Sequence, residues 1–192
     1  MIDGIIKAGI TPQVNVIVGI PEYTKQELIE NFKVVYDCYV KGCDVGVNRY
    51  LLALPGAPIY SSGQYKTIDK TWTHPITGKV FSIPDQFVPM DDEVREVVEQ
   101  MEPLHERLLQ EVIEKNSWEN KIVPRRVLNV ISLLSAVKIL GDEELTKRFQ
   151  EVLDETIYRC NKSDETSENS LVGKNNTSNQ KYDYALAYAQ EF

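Results

Sequence analysis

Apolar positions change their period more than once along this chain. Gln13 to Val18 carries Val14, Val16, Ile17 and Val18 almost without interruption and stops at Gly19. A short apolar run bounded by turn residues predicts a strand covered on both faces, as in a parallel sheet. Ahead of it, Ile2 to Ala8 reads as the end of a helix, with Gly9 where a left-handed C-cap residue belongs. Behind it, Thr24 and Glu27 have the spacing of a capping box, in which each side chain satisfies a free backbone N–H at a helix start. Leu28, Phe32, Val35, Tyr36 and Tyr39 then recur at three- and four-residue intervals and form one apolar stripe, and Lys41-Gly42 ends the helix. A second strand is predicted from about Val45 to Leu54, closed by Pro55-Gly56. Strand, helix and strand make a βαβ unit, whose crossover is right-handed.

The pattern dissolves after Tyr60. Ser61 to Met90 is rich in Ser, Thr, Gly, Pro and aromatic residues and predicts a long, partly ordered connector with a hairpin around Thr77-Gly78. From Asp91 the helical period returns through Val94, Val97, Val98, Met101, Leu108 and Val112, and Pro103 either kinks this helix or starts a second one. Pro124 to Leu140 is a strongly apolar helix with Pro at its start, Gly141-Asp142 breaks it, and Glu143 to Tyr158 makes a last amphipathic helix. Asn161 to Lys181 holds five Asn, four Ser and two Thr with little to bury, a composition that stays disordered, and Tyr182 to Gln190 suits a short helix. Four segments follow: 1–62, 63–90, 91–160 and 161–192.

Composition narrows the class. With 42% hydrophobic and 26% charged residues the chain has the balance of a soluble globular protein. It has no apolar run near the roughly 20 residues a bilayer requires. The first residues have no basic segment ahead of an apolar core, so no signal peptide is expected and the predicted location is cytoplasmic. Three cysteines, Cys38, Cys43 and Cys160, fit a reducing compartment better than a disulfide framework. Cys38 and Cys43 lack a second pair of soft ligands for zinc, and two histidines, His74 and His105, are a poor basis for a metal site. A net charge of -8 without a basic patch points away from nucleic acid. Asp91 to Asn120 holds ten acidic residues against three basic ones. That is a solvated helix face or, alternatively, an acidic docking surface for a basic partner.

The segment Val14-Asn15-Val16-Ile17-Val18-Gly19-Ile20-Pro21-Glu22-Tyr23-Thr24 carries the most chemistry. It is a buried strand that stops at glycine and turns into a capped helix, at the strand end where α/β barrels and open α/β sheets keep their ligands. It resembles the radical SAM superfamily, particularly members with an Ile-x-Gly-x-Pro-Gly-Glu-Thr-like segment, many of them fused to a cobalamin-binding domain. The family's fifth barrel strand carries Gly-x-Ile-x-Gly-x-x-Glu, against which this chain has Asn15, Ile17, Gly19 and Glu22. The resemblance implies that Ile17 packs near the adenine of S-adenosylmethionine and that the Gly19 turn shapes that side of the pocket. Arg49 to Tyr60 resembles the sixth strand and its Pro-Gly-Thr-x-Leu-Tyr-like exit, which implies backbone contacts to adenine at Leu52 and Ala53. Lys7-Ala8-Gly9-Ile10 matches the family's helix-to-strand passage, and the resemblance is specific over residues 1–60.

Departures accompany the matches. Asn15 replaces the first Gly, and Pro21-Glu22-Tyr23-Thr24 stands for the usual Pro-Gly-Glu-Thr, so the glutamate falls one position early. Glu22 is therefore either a ligand-binding residue or an acid at a helix N-terminus. No Cys-x3-Cys-x2-Cys is present, the motif whose thiolates hold the [4Fe–4S] cluster.

Together these imply an α/β fold: the C-terminal part of a partial (β/α)6 TIM-like barrel in residues 1–62, followed by a mostly α-helical extension. The expected function is that of a fragment of a radical SAM enzyme, one that cleaves S-adenosylmethionine reductively to modify an unknown substrate. S-adenosylmethionine and [4Fe–4S] belong to the complete enzyme, and this chain alone holds neither. Its expected partner is the missing N-terminal barrel portion, or a second copy, because two parallel strands leave both outer edges unpaired. The alternative is a non-catalytic interaction module working through the helical half. Three lesser candidates remain. Asn48 and Tyr50 share a strand face that suits a barrel lumen or a core. Arg49 suits a carboxylate on a neighbouring element or on a ligand. Trp72 and His74 suit a lid or plain surface packing.

Overall fold

Helix α1 (Ile2–Lys7) ends before Gly9, whose φ of 77° is the left-handed conformation expected of it. Strand β1 (Gln13–Gly19) leads into helix α2 (Lys25–Val40), and strand β2 (Asp44–Tyr50) follows. These elements belong to a computed structural model that describes residues 2–116 and 123–170. The chain divides into two units, Met1–Thr156 and Ile157–Phe192.

The start of α2 is fixed by the predicted capping box. Thr24 Oγ1 accepts from the Glu27 N–H, and Glu27 Oε2 accepts from the Thr24 N–H at 3.0 Å. That backbone bond, then the Thr24 hydroxyl, holds the Glu27 carboxyl below its ordinary value. Its far end is a Schellman turn: Gly42, at φ 99°, donates to the Tyr39 carbonyl at 2.8 Å and Cys43 donates to the Cys38 carbonyl at 3.0 Å. Cys38 and Cys43 hold the two positions where this turn places its apolar clasp, and both are buried. Burial pushes the Cys43 thiol up, with the Cys38 thiol beside it adding to the effect.

Strands β1 and β2 pair in parallel, Gln13 opposite Asp44, Ile17 opposite Asn48 and Gly19 opposite Tyr50. Val16, Val18 and Val45 are buried on one face, and α2 lies against the sheet as its crossover. The opposite face, with Asn15 and Asn48 exposed and Ile17 half-buried, is covered only at its C-terminal end. The predicted second strand runs too far, because Tyr50 already lies opposite Gly19, the last residue of β1. Beyond it the backbone turns to another partner: the Leu51 carbonyl accepts from the Phe87 N–H at 2.9 Å and the Ala53 N–H donates to the Asp85 carbonyl at 2.8 Å.

After the single turn α3 (Pro58–Ser61), the hairpin expected around Thr77-Gly78 is present and takes up most of the predicted connector. Strands β3 (Thr67–Thr73) and β4 (Val80–Phe87) pair antiparallel around a turn at Gly78, φ 65°. Helix α4 (Asp92–Lys115) continues through Pro103, which neither ends it nor starts a second helix. Its N-cap Asp91 accepts from the N–H groups of Glu93 and Val94. Helix α5 (Arg125–Leu140) follows Pro124 and ends at Gly141, φ 74°, as its sequence requires. The core is made of Phe32, Met101, Ile131, Leu134 and Phe149, each at most 2% exposed.

Helix α6 (Glu143–Ser170) runs well past Tyr158. Asn161 to Ser170 were expected to be disordered, but a helix already nucleated adds one hydrogen bond for each further residue, so low apolarity alone does not stop it. The rest of the expected tail, with the Tyr182–Gln190 helix, lies outside the described residues. The fold is α/β, about 55% helix with two small sheets, and no closed barrel is present among the described residues. No described helix is long and apolar enough to cross a membrane.

Candidate functional site

The candidate site lies where β1 gives way to α2. Ile17 is half-buried on the open sheet face, next to exposed Asn48. Gly19 has a clear steric reason to be glycine. A Cβ placed there would lie 2.6 Å from the Arg49 carbonyl oxygen, 3.1 Å from Val98 Cγ2 and 3.4 Å from Pro89 Cγ. The close approach that the sequence suggests at this glycine is therefore made by the chain's own β2 and α4.

Glu22 is exposed, and its carboxylate accepts a hydrogen bond from the Tyr65 hydroxyl. The same bond, followed by desolvation, raises the Tyr65 hydroxyl's pKa. Tyr65 also meets the buried Phe87 edge-on at 6.1 Å, so Glu22 is tied to the base of the hairpin. One residue earlier, the Pro21 carbonyl accepts from the Met90 N–H at 3.0 Å, and the segment leading into α4 thereby closes over the end of β1. Leu52 and Ala53 lie past the end of β2. Leu52 is 53% exposed and bridges to Gln86, while Ala53 is buried with its N–H engaged by Asp85. The structure thus puts Ile17 and Gly19 on one sheet face and Glu22 just beyond it. Leu52 and Ala53 turn away to the second sheet.

Arg49 has a carboxylate partner within the chain, as one of its two readings expects: Nη1 lies 2.7 Å from Glu102 Oε2 on α4. Tyr50 is half-buried, and burial raises its pKa. Trp72 and His74 are ring neighbours on the hairpin, 5.4 Å apart and edge-on. The His74 Nδ1 accepts from the N–H groups of Ile76 and Thr77 and so shapes the turn.

The sequence gives no hint of a polar strap between α4 and α5. Ser132 Oγ and His105 Nδ1 are 2.9 Å apart, and Ser132 also donates to the Leu128 carbonyl at 3.1 Å. Burial lowers the pKa of His105, against a smaller opposing pull from Glu106 and Glu102. The spacing that would have flagged it spans two helices and 27 residues. A single-sequence pattern does not reach that far.

Two tests of fit follow. Among the described residues no group of three His, Cys, Asp or Glu side chains could hold a metal ion, and Cys38 and Cys43 are enclosed in the α2 clasp. The donor set for a [4Fe–4S] cluster is thus not among them. The open face around Ile17 has an apolar side chain flanked by the amide side chains of Asn15 and Asn48. A concavity of about 630 Å³ opens instead at the α5–α6 turn, beside Lys138, Glu143 and Gln150. None of the candidate residues lines it. Compared with protein-family models, curated proteins and solved structures, the chain finds no match in any of the three.

Proposed function

We propose that the chain is the C-terminal part of a radical SAM enzyme, a class that cleaves S-adenosylmethionine reductively to modify a substrate by radical chemistry. The observation that carries this reading is the β1–α2–β2 unit. It is parallel, its helix lies on one side, and its other face presents exposed Asn15 and Asn48 with half-buried Ile17 between them. In a partial (β/α)6 barrel that second face looks inward, and α/β barrels keep their ligands at the C-terminal ends of the strands, here Gly19 and Tyr50. The ordered motifs around Ile17, Gly19 and Glu22 support the same assignment.

Within it each residue has a limited part. Ile17 offers one apolar wall for the adenine. Gly19 lets β1, β2 and α4 close together beneath that wall, and Glu22 braces the turn through Tyr65. Leu52 and Ala53 would take the family's place at the adenine only through backbone that this fold engages with β4. The cluster does not fit this chain's described residues, so no step of the chemistry is assigned to them. Three cysteines without a disulfide framework suit a reducing, cytoplasmic setting.

The test is the reading frame upstream of the Met1 codon. An open frame encoding Cys-x3-Cys-x2-Cys after a strand is the expected result. An independent start site with no such motif nearby overturns the reading.

One observation favours a second reading, an interaction module in the helical half. The helical core is closed, and α4 shows exposed Glu96, Glu99 and Glu106 outward. A salt-sensitive complex with a basic protein, abolished by Glu96→Lys with Glu99→Lys, would select this reading over the first.

A further inference from the structure

The hairpin is an amphipathic ribbon whose more apolar side is left exposed among the described residues. From Ile68 to Ile83 every residue except His74 is exposed. The register places Trp72 opposite Phe81 and Lys70 opposite Ile83, so these four side chains share one face, and Ile68 continues it by alternation. Trp72 and Phe81 are 5.7 Å apart and tilted. Exposure along this face is 43% at Ile68, 44% at Trp72, 43% at Phe81 and 44% at Ile83. The other face is mostly polar: Asp69 accepts from Thr67 Oγ1 and from Ser82 Oγ, Thr71 and Thr73 lie beside them, and Val80, opposite Thr73, is its one exposed aliphatic side chain along the paired strands. An isolated two-stranded hairpin is marginal in water, and three or more strands or a packing partner are normally needed.

We infer that this face packs against the same face of a second copy, forming a twofold dimer in which Trp72 and Phe81 of each chain lie at the centre. Three observations select that occupant. The first is area: four side chains of this size at these exposures leave roughly 300–400 Å² of apolar surface, a patch of the size that marks interaction sites. Two such faces and their rims reach roughly 1,000 Å², the low end for a specific interface. The second is charge. Residues 64–90 carry Lys66, Lys70 and Lys79 against Asp69 and Asp85, net +1, in a chain of net charge -8. Two acidic molecules therefore approach most easily through this ribbon. The third is the protection of the ribbon's edges. Pro84 lacks an N–H, Leu51 and Ala53 bond to the end of β4, and β3 carries Asp69 near its middle. Pairing by edges is disfavoured, and the face remains.

The dimer is independent of the radical SAM reading, since none of these residues belongs to the proposed adenine wall. The experiment is sedimentation velocity on the full chain, from roughly 2 to 200 µM, the range in which a minimal interface associates. A monomer–dimer equilibrium is expected. Trp72→Asp and, separately, Phe81→Glu should each shift the dissociation constant at least tenfold towards monomer. Both should leave the far-UV circular dichroism and melting midpoint unchanged at monomeric concentrations, because the mutated side chains are exposed. Thr71→Lys, on the polar face, should leave the dimer intact, as should Ile17→Asp on the open face of β1–β2. A monomer at every concentration overturns the inference. So does association that survives both ribbon variants or is abolished by Ile17→Asp.

Discussion

Strands β1 and β2 pair across a 16-residue helix, whereas β3 and β4 pair around a tight turn at Gly78. Each sheet has two strands, but they are held by different means. The parallel pair could not persist as an isolated ribbon. It stands because Val16, Val18 and Val45 are buried and because α2, α4 and α5 lie against it. The antiparallel pair has local register, a turn built on His74 and Gly78, and a base pinned by Phe87 and Tyr65, but almost no burial beyond that base. One sheet is therefore part of the cooperative core, and the other is an appendage whose free energy of opening is small.

Substitutions can break or sharpen this contrast. The largest effect belongs to the helical core behind the parallel sheet. Phe149 is fully buried and meets Tyr36 edge-on at 5.8 Å, so Phe149→Ala is expected to cost about 3–5 kcal/mol in urea unfolding. A loss below about 1 kcal/mol would mean that α6 is not integral to the core. Next comes Gly19→Ala, where the new methyl meets a backbone carbonyl that cannot give way easily. The expected loss is about 1–3 kcal/mol, read as a lower melting midpoint. Unchanged stability would show that the β1–β2 end is looser than its geometry.

A smaller effect is expected from acid. Burial favours the neutral form of His105, which has Ser132 at Nδ1 and the charges of Glu106, Glu102 and Arg49 near enough to act on it. Its folded pKa lies below its unfolded value, near 6.5. Its contribution is therefore fully present above about pH 6.5 and is lost as pH falls through that value towards the folded pKa. Melting midpoints between pH 7 and pH 5 should fall less in His105→Gln than in the native sequence, and parallel curves would exclude the strap as a cause. The smallest effect is at the ribbon's tip: Ile76 is 88% exposed, and Ile76→Ser should change stability by no more than about 0.5 kcal/mol.

The same contrast explains how much was legible in the sequence. The β1–α2–β2 unit announces itself because its signals are local: a continuous apolar run, a Thr24–Glu27 box and a glycine at each helix exit. Gly141 and Pro124 mark α5 for the same reason. Three things were not legible. The end of β2 depends on where β1 stops, a fact about the partner strand. The hairpin's turn at Thr77-Gly78 was legible, but the extent of its strands was not, because Pro84 and the turn-rich composition mask their alternation. The reason for Gly19 lies in Val98 and Pro89, far along the chain, so a glycine that reads as a ligand contact is also required by packing. Arg49 was ambiguous until α4 supplied Glu102.

The bond between the Tyr39 hydroxyl and Thr156 Oγ1 joins residues 117 positions apart, from the last turn of α2 to α6. The most extensive pairings close shorter loops: β1 with β2, β3 with β4, α4 with α5. Short loops close early and a long one closes late, because the entropy of closure grows with the length spanned. The seam between α2 and α6 should therefore be absent from the rate-limiting barrier on the way in. It then acts as a latch on the way out. In a chevron plot, Tyr39→Phe is expected to leave the refolding arm in place and raise the unfolding arm, so this contact sets how long the native state lasts rather than how fast it forms.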